Sequence, residues 1–377
     1  MSLSRRRLFS LTRPQPGSSG AQTPTPAAAK KSALAALGLG PTAGEGPEGY
    51  WVHVSRTAMA CRFEVTLPAE RSDKLDAAHA ALDTANALED QLTIFRDTSE
   101  LATINRDAAL GPLAIETRLY DLLRLAQRLH RETEGAFDIT STPLSRIWGF
   151  LRRSGRLPAP EEIEEARQFV GMDKVELRLR ANPSAAPESS STPLKTIRFR
   201  QPGVSLNLGG IGKGYALDRM AEGLKETGVE TALLSAGASS FRALGYGPDG
   251  TGFEIGIRDP LHHSRRFGTL RLGDNALGVS GSGEQFFEVD GRRLGHIIDP
   301  RTGWPVEGRA LVAVVAPTAT SADALATAFY VGGPALADRY TRRHRDVSVV
   351  LLGMPLQGRS DAIVFGRDAE WRMNRAA

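Results

Sequence analysis

Ser205-Leu-Asn-Leu-Gly-Gly-Ile-Gly-Lys-Gly-Tyr-Ala-Leu-Asp218 is the stretch on which the rest of the chain hangs. Val204, Leu206 and Leu208 alternate like a short buried strand. Gly209, Gly210, Gly212 and Gly214 then make a turn in which no side chain keeps a ligand from the backbone. A helix follows, with Tyr215, Leu217, Met220, Ala221 and Leu224 on one side and Gly228 at its C′ position. A glycine turn that opens a helix is an anion site, and Lys213 adds a charge there. The plainer reading is a tight strand–helix turn with a solvated lysine. A Walker A loop is excluded, because Asn207 and Gly214 stand where that motif needs glycine and Ser or Thr. A dinucleotide G-x-G-x-x-G fingerprint is also missing.

Two further stretches carry chemistry. In His296-Ile-Ile-Asp-Pro-Arg-Thr-Gly303, Pro300 and Gly303 force a fixed turn. His296 is the best general-base candidate among the seven histidines, while Asp299 and Thr302 could simply bond their own backbone. In Ala322-Asp-Ala-Leu-Ala-Thr327, Asp323 and Thr327 are four apart and share a helix face, with Thr320 or Ser321 expected as N-cap. A carboxylate beside a hydroxyl suits Mg²⁺; equally, the acid could favour the helix N-terminus and the hydroxyl a backbone carbonyl.

The remaining elements read as follows. Tyr50–Ser55 and Met59–Leu67 are strands, the second with Cys61 as a buried thiol. Ser72 caps a helix through Leu88, and Phe95–Leu101 is a polar turn. An amphipathic helix spans Glu116 to Glu134 with His130 on its surface, and Gly135 ends it. The Phe137-Asp138 pair that follows is either a capped turn or a contact for a flat ligand. Lys174–Leu179 and Thr196–Phe199 are strands, with the low-complexity segment Ala181–Pro193 as an insertion at a hairpin tip. Thr231–Ser235, Phe253–Ile257, Thr269–Leu272, Phe286–Val289, Leu311–Ala316, Val347–Leu352 and Ala362–Phe365 are strands, and a last helix starts at Pro334.

Charge is unevenly placed. The net charge is +4, yet residues 1–31 hold six Arg and Lys and no acid, so the remainder is −2. Nucleic-acid binding by the folded part is therefore not indicated. A single cysteine, Cys61, excludes an internal disulfide and a cysteine zinc cluster, and without a cysteine near the N-terminus a lipoprotein form is not expected. No apolar run is long enough to span a membrane. Residues 1–48 read as a disordered or targeting tail, 49–367 as one domain and 368–377 as a C-terminal tail. Ser4-Arg-Arg-Arg-Leu-Phe9 is twin-arginine-like, so an extracytoplasmic, periplasmic location is expected over a cytoplasmic one.

Met59-Ala-Cys-Arg-Phe-Glu-Val65, Ser99–Asn105, Gly135-Ala-Phe-Asp138, Leu208–Ala216, His296–Gly303 and Ala322–Thr327, in this order, resemble the FAD:protein FMN transferase (ApbE) family. The resemblance implies a single α+β domain with antiparallel β-sheets packed with helices. It implies Mg²⁺-dependent transfer of the FMN moiety of FAD to a Ser or Thr hydroxyl of a flavoprotein, with release of AMP. The acceptor would be a flavoprotein subunit of a membrane redox complex or reductase. Carried over by motif, Met59, Phe95, Ala136, Phe137, Asp138, Asn207, Lys213 and Ile297 would contact FAD. Gly210, Asp323 and Thr327 would hold the metal, and His296 would be the base. Asn207 stands where the family usually has Asp, and Ala238 replaces a usual glycine. The same site could instead hydrolyse FAD to FMN and AMP, or bind flavin without turnover.

Overall fold

The computed structural model describes residues 50–180, 193–247, 250–260, 266–281, 285–289, 291–354, 362–366 and 370–373. In chain order the first half carries β1 (Trp51–Ala58), β2 (Cys61–Pro68), α1 (Leu75–Leu92), α2 (Glu100–Asp107), β3 (Leu113–Ala114), α3 (Thr117–Glu132), α4 (Thr142–Ile147), α5 (Pro160–Arg167), β4 (Val175–Arg180) and β5 (Leu194–Phe199). There follow α6 (Gly212–Glu226), β6 (Ala232–Ala236), β7 (Ser240–Leu244), β8 (Phe253–Arg258), β9 (Arg266–Leu272), β10 (Ala276–Gly281), β11 (Phe286–Val289) and β12 (Arg292–Gly295). The chain closes with β13 (Arg309–Ala316), α7 (Ala319–Arg343), β14 (Ser348–Gly353), β15 (Ala362–Phe365) and β16 (Glu370–Met373).

An eight-stranded sheet in the order β1-β2-β6-β7-β10-β13-β14-β15 is antiparallel throughout. Alternation along β13 shows how it is buried. Val312, Val314 and Ala316 join the core beneath α1, α6 and α7, whereas Leu311, Ala313 and Val315 meet Phe253, Ile255 and Leu270 of the β16-β9-β8 sheet. Successive side chains point to opposite faces, so a strand apolar on both needs cover on both. A third apolar cluster joins Leu144, Trp148, Ile163 and Leu294 beside the β11–β12 hairpin. There Trp148 Nε1 donates to the Gly303 carbonyl at 2.8 Å, tethering the turn that follows His296.

The expected α+β class and antiparallel sheets are present, with several local corrections. Residues 204–208 pair with no described strand. Their partners are a side chain and a loop: Leu206 N donates to Asn105 Oδ1 (2.7 Å), Asn105 Nδ2 donates to Leu206 O (2.9 Å), and Asn207 N donates to Ile139 O (2.8 Å). Phe95–Leu101 is not simply a turn, because Ser99 N-caps α2 through Ala102 N. Ser72 lies in a 3₁₀ turn and caps nothing; α1 starts after Lys74 without a side-chain cap. Thr318, not Thr320 or Ser321, N-caps α7. Pro334 begins only the second half of α7, after a break at Gly333 (φ 73°, ψ −167°); proline has no N–H to continue the first half. Met59 and Ala60 form the β1–β2 turn at positive φ, and Cys61 is half-buried. Residues 370–373, read as tail, form β16 on β9. The insertion tip (181–192) and the N-terminal tail (1–49) lie outside the described residues.

Candidate functional site

Two helices cap each other at the centre of the molecule. Helix α6 has no side-chain cap of its own. Instead Gly214 N, in its first turn, donates to Asp323 Oδ2 of α7 at 3.1 Å. In return Asp218 of α6 accepts Ala319 N (2.9 Å), Thr320 N (2.8 Å) and Thr320 Oγ1 (2.5 Å) at the start of α7. Each carboxylate thus meets the positive end of the other helix. Burial pushes the Asp218 carboxyl up, against the pull of these bonds and of Arg242.

Such reciprocity needs close backbones. A Cβ on Gly214 would lie 2.1 Å from the Ala319 carbonyl oxygen, and one on Gly278 of β10 would lie 2.4 Å from Ala322. Both places are van der Waals overlaps, so α7 is seated by two glycines. Gly214→Ala is expected to cost about 1–3 kcal/mol through overpacking, read as a lower urea midpoint. An unchanged midpoint would mean that the helices can part freely.

Asp323 is 6% exposed, and its other oxygen accepts from Ser240 Oγ at 3.1 Å. Both partners are neutral, and no described cation lies within ion-pair distance. A buried carboxylate without a countercharge is costly. One turn on, Thr327 Oγ1 is 3.3 Å from Ser280 Oγ, and a Cβ on Gly210 would lie 3.5 Å from the same hydroxyl. Carboxylate, hydroxyl and backbone oxygen are hard donors, and one acid with neutral oxygens suits Mg²⁺ retaining water. Among the described residues no group of three or more His, Cys, Asp or Glu that could hold a metal ion is gathered. By donor chemistry, the residue types at Gly210, Asp323 and Thr327 fit Mg²⁺.

Around this set the structure brings some of the expected residues and leaves others aside. Lys213, in the first turn of α6, donates to Ser239 Oγ, beside Ser240. Gly237 N donates to Arg62 O at 2.8 Å, which draws the β1–β2 turn carrying Met59 to the same serine turn. Phe137 packs at Gly210, 3.5 Å from where a Cβ would stand. Ala136 is buried, and Ile297 packs against the main core. Phe95 stands 73% exposed. Asn207 Oδ1 accepts Gly209 N at 2.8 Å, an Asx turn that uses the side chain locally.

Asp138 faces inward. Its side chain is 2% exposed; Oδ1 accepts Thr140 N (2.7 Å) and Oγ1 (2.5 Å), and Oδ2 meets His130 Nδ1 at 3.2 Å. His130 is therefore not the surface residue that its helix position suggested. Burial alone would lower its pKa, but the bond and charge of Asp138 and the bond to the Phe137 carbonyl outweigh burial and raise it. A raised folded value means that the proton favours folding. This contribution is complete below about pH 6.5, the ordinary histidine value, and fades as pH rises through the raised one. The unfolding free energies of wild type and His130→Gln should therefore differ more at acid than at alkaline pH. Equal differences at both ends would refute the pairing.

His296 sits half-buried on another segment. Its backbone N (3.0 Å) and ring Nδ1 (3.2 Å) both address the Gln285 carbonyl. A carbonyl only accepts, so Nδ1 carries the proton and Nε2 is the basic nitrogen of the neutral ring. Asp299 accepts Arg301 N (2.9 Å) and pairs with its guanidinium, so the plainer reading of that turn holds for Asp299. Arg301 then packs at Gly135, 3.7 Å from a Cβ there, so the histidine turn borders the Phe137 loop. A cavity of about 350 Å³ opens between them, lined by His130, Gly135, Asp138, Arg167 and Arg301 among others. It lies behind the loop: Gly210, Asp323 and Thr327 do not line it. Asn105, Asp218, Ser239, Ser240 and Ser280 shape the site unforeseen. Asn105 and Asp218, each inside a stretch singled out in the sequence, left some signal.

The ApbE family model matches residues 59–351. The FAD:protein FMN transferase of Treponema pallidum is 34% identical over 269 residues, 68% of this chain and 72% of that protein. That of Haemophilus influenzae is 31% identical over 249 residues, 64% of this chain and 68% of its own. The crystal structure of the ApbE protein from Thermotoga maritima superposes with a TM-score of 0.69 at 27% identity, covering 81% of this chain and 94% of its own. The flavin transferase ApbE from Vibrio cholerae does so with 0.70 at 25%, covering 84% and 98%. Family match, relatives and fold agree with the ordered motifs: this chain belongs to the ApbE family.

Proposed function

We propose that this protein transfers the FMN moiety of FAD to a Ser or Thr hydroxyl of a flavoprotein, releasing AMP, with Mg²⁺ held by Gly210, Asp323 and Thr327. The observation that carries the metal-dependent reading is the buried Asp323 carboxylate, bonded among the described residues to neutral Gly214 and Ser240, with Thr327 one turn on, its hydroxyl donating to the Asp323 backbone carbonyl. Relatives named FAD:protein FMN transferase support the substrate and reaction.

Chemically, the acceptor oxygen attacks the phosphorus on the FMN side of the diphosphate. A new O–P bond forms, the bridging P–O bond breaks, and AMP leaves with the bridging oxygen. His296 Nε2 takes the hydroxyl proton. Mg²⁺, when bound, neutralises charge on the diphosphate oxygens. Lys213 and the first-turn amides of α6 attract the same anion. Half-buried Met59 and Ile297 offer apolar surface to the flavin, exposed Phe95 offers an aromatic face, and Phe137, 3% exposed, backs the glycine turn.

The test is incubation with FAD, Mg²⁺ and a flavoprotein acceptor. Covalent flavin on the acceptor with AMP is the expected result. Free FMN with AMP would replace transfer by hydrolysis, and unchanged FAD would leave flavin binding alone. The acceptor as a subunit of a membrane redox complex, and export by the twin-arginine-like start, are part of the same proposal. Mass spectrometry of the mature N-terminus in cell fractions checks export. Among the described residues no helix is long and apolar enough to cross a membrane.

A further inference from the structure

The proposed reaction leaves one pair unused, half-buried His130 with buried Asp138. Both oxygens of Asp138 are committed within the protein, so its carboxylate is not offered to a ligand. The ring reaches two points of one loop: Nδ1 is 3.1 Å from the Phe137 carbonyl and 3.2 Å from Asp138 Oδ2. Thr140 extends the strut, since its Oγ1 donates to Asp138 and accepts Gly171 N at 2.7 Å. On the other side Ile139 O takes Asn207 N, and Phe137 lies against Gly210. Behind the loop is the 350 Å³ cavity instead of packed side chains. On the cavity side hydrogen bonds hold Asp138, while Ala136, Phe137 and Ile139 pack into the main core.

We propose that His130 is a positioning residue: it holds the Ala136–Asp138 loop so that Phe137 stays pressed on the glycine turn, and thereby sets FAD affinity. The consequence for FAD rests on the proposed function; the effect on the loop does not. Other charges face the ring. Asp173 comes from the 172–174 turn, Glu134 from the end of its own helix, Arg167 from α5 and Arg301 from the histidine turn. Each has its own partner: Lys174 for Asp173, Arg339 for Glu134, Glu164 for Arg167 and Asp299 for Arg301. Among described residues His130 is the sole ion-pair partner of Asp138.

The experiment measures backbone hydrogen exchange over residues 135–140 and 207–212, and the KM and kcat for FAD against pH, in wild type, His130→Ala and His130→Gln. In the alanine variant, loss of a bond to a charged group should raise KM about tenfold, with kcat within about twofold, and loop exchange should quicken. Glutamine can donate to the same two oxygens without titrating. It should restore the slow exchange and most of the affinity, and remove the loss of affinity that wild type shows as pH rises through the histidine titration. Wild-type exchange and KM in the alanine variant would overturn the proposal. Should that variant not fold, glutamine decides: a wild-type pH course would overturn the assignment, and a flat one supports it. Should wild type not turn over FAD, the proposed function fails, and the exchange rates alone decide the role of His130.

Discussion

Asp323→Asn is expected to abolish metal-dependent turnover, lowering AMP release by about 10²–10³-fold, the range for losing electrostatic stabilisation of a transition state. The carboxylate is the one full charge in the proposed cation set, and Ser240 and Gly214 hold it by one bond on each oxygen. An amide turns an NH₂ toward one of those two donors, so it loses both the charge and a hydrogen bond. A second readout needs no catalysis. Mg²⁺ should raise the melting temperature of wild type, since ligand at 100 times its Kd adds about 2.7 kcal/mol, and should leave the variant unmoved. Wild-type AMP release, or an equal thermal shift, would remove Asp323 from the metal site. In metal-free buffer the variant should lose little stability, because an uncompensated buried charge departs with the bond.

His296→Ala should slow flavin transfer by about 10²–10⁴-fold, the usual share of a general base. Flavin affinity should stay near wild type, because the ring bonds the Gln285 carbonyl. The rising acid limb of the pH–rate profile should vanish with the imidazole. Equilibrium binding of FAD, followed by its fluorescence, separates this outcome from a collapsed site. A variant that binds FAD as well as wild type and still transfers at the full rate would leave the acceptor proton to another group. Hydrolysis to FMN and AMP at the wild-type rate with transfer lost would place His296 on the acceptor side only.

Local chemistry was legible wherever a side chain acts on its own neighbours. The period of α3, Gly228 beyond α6 and the strand at Leu311–Ala316 read correctly from spacing, and the plainer of the two readings of the Asp299 turn holds. The ordered motifs named the family for the same reason, since order along a chain needs no coordinates. Misreadings fell where the partner is remote. Residues 204–208 alternate like a strand, yet the side chain of Asn105, about a hundred positions away, takes the place of a neighbouring strand. His130 looked exposed on its helix until the Asp138 loop folded back over it.

Asp323 and Thr327 share a helix face by sequence alone, and Gly210 lies in a turn by sequence alone. That the turn meets that face is a tertiary fact. It depends on Gly214 and Gly278 letting three backbones approach within a distance that any Cβ would forbid, and on Asp218 and Asp323 each closing the other's helix. Sequence determines periodicity and turn chemistry because these are short-range. The charge environment of a buried carboxylate is settled by whichever groups the fold carries to it, and here those are neutral donors from β7 and α6.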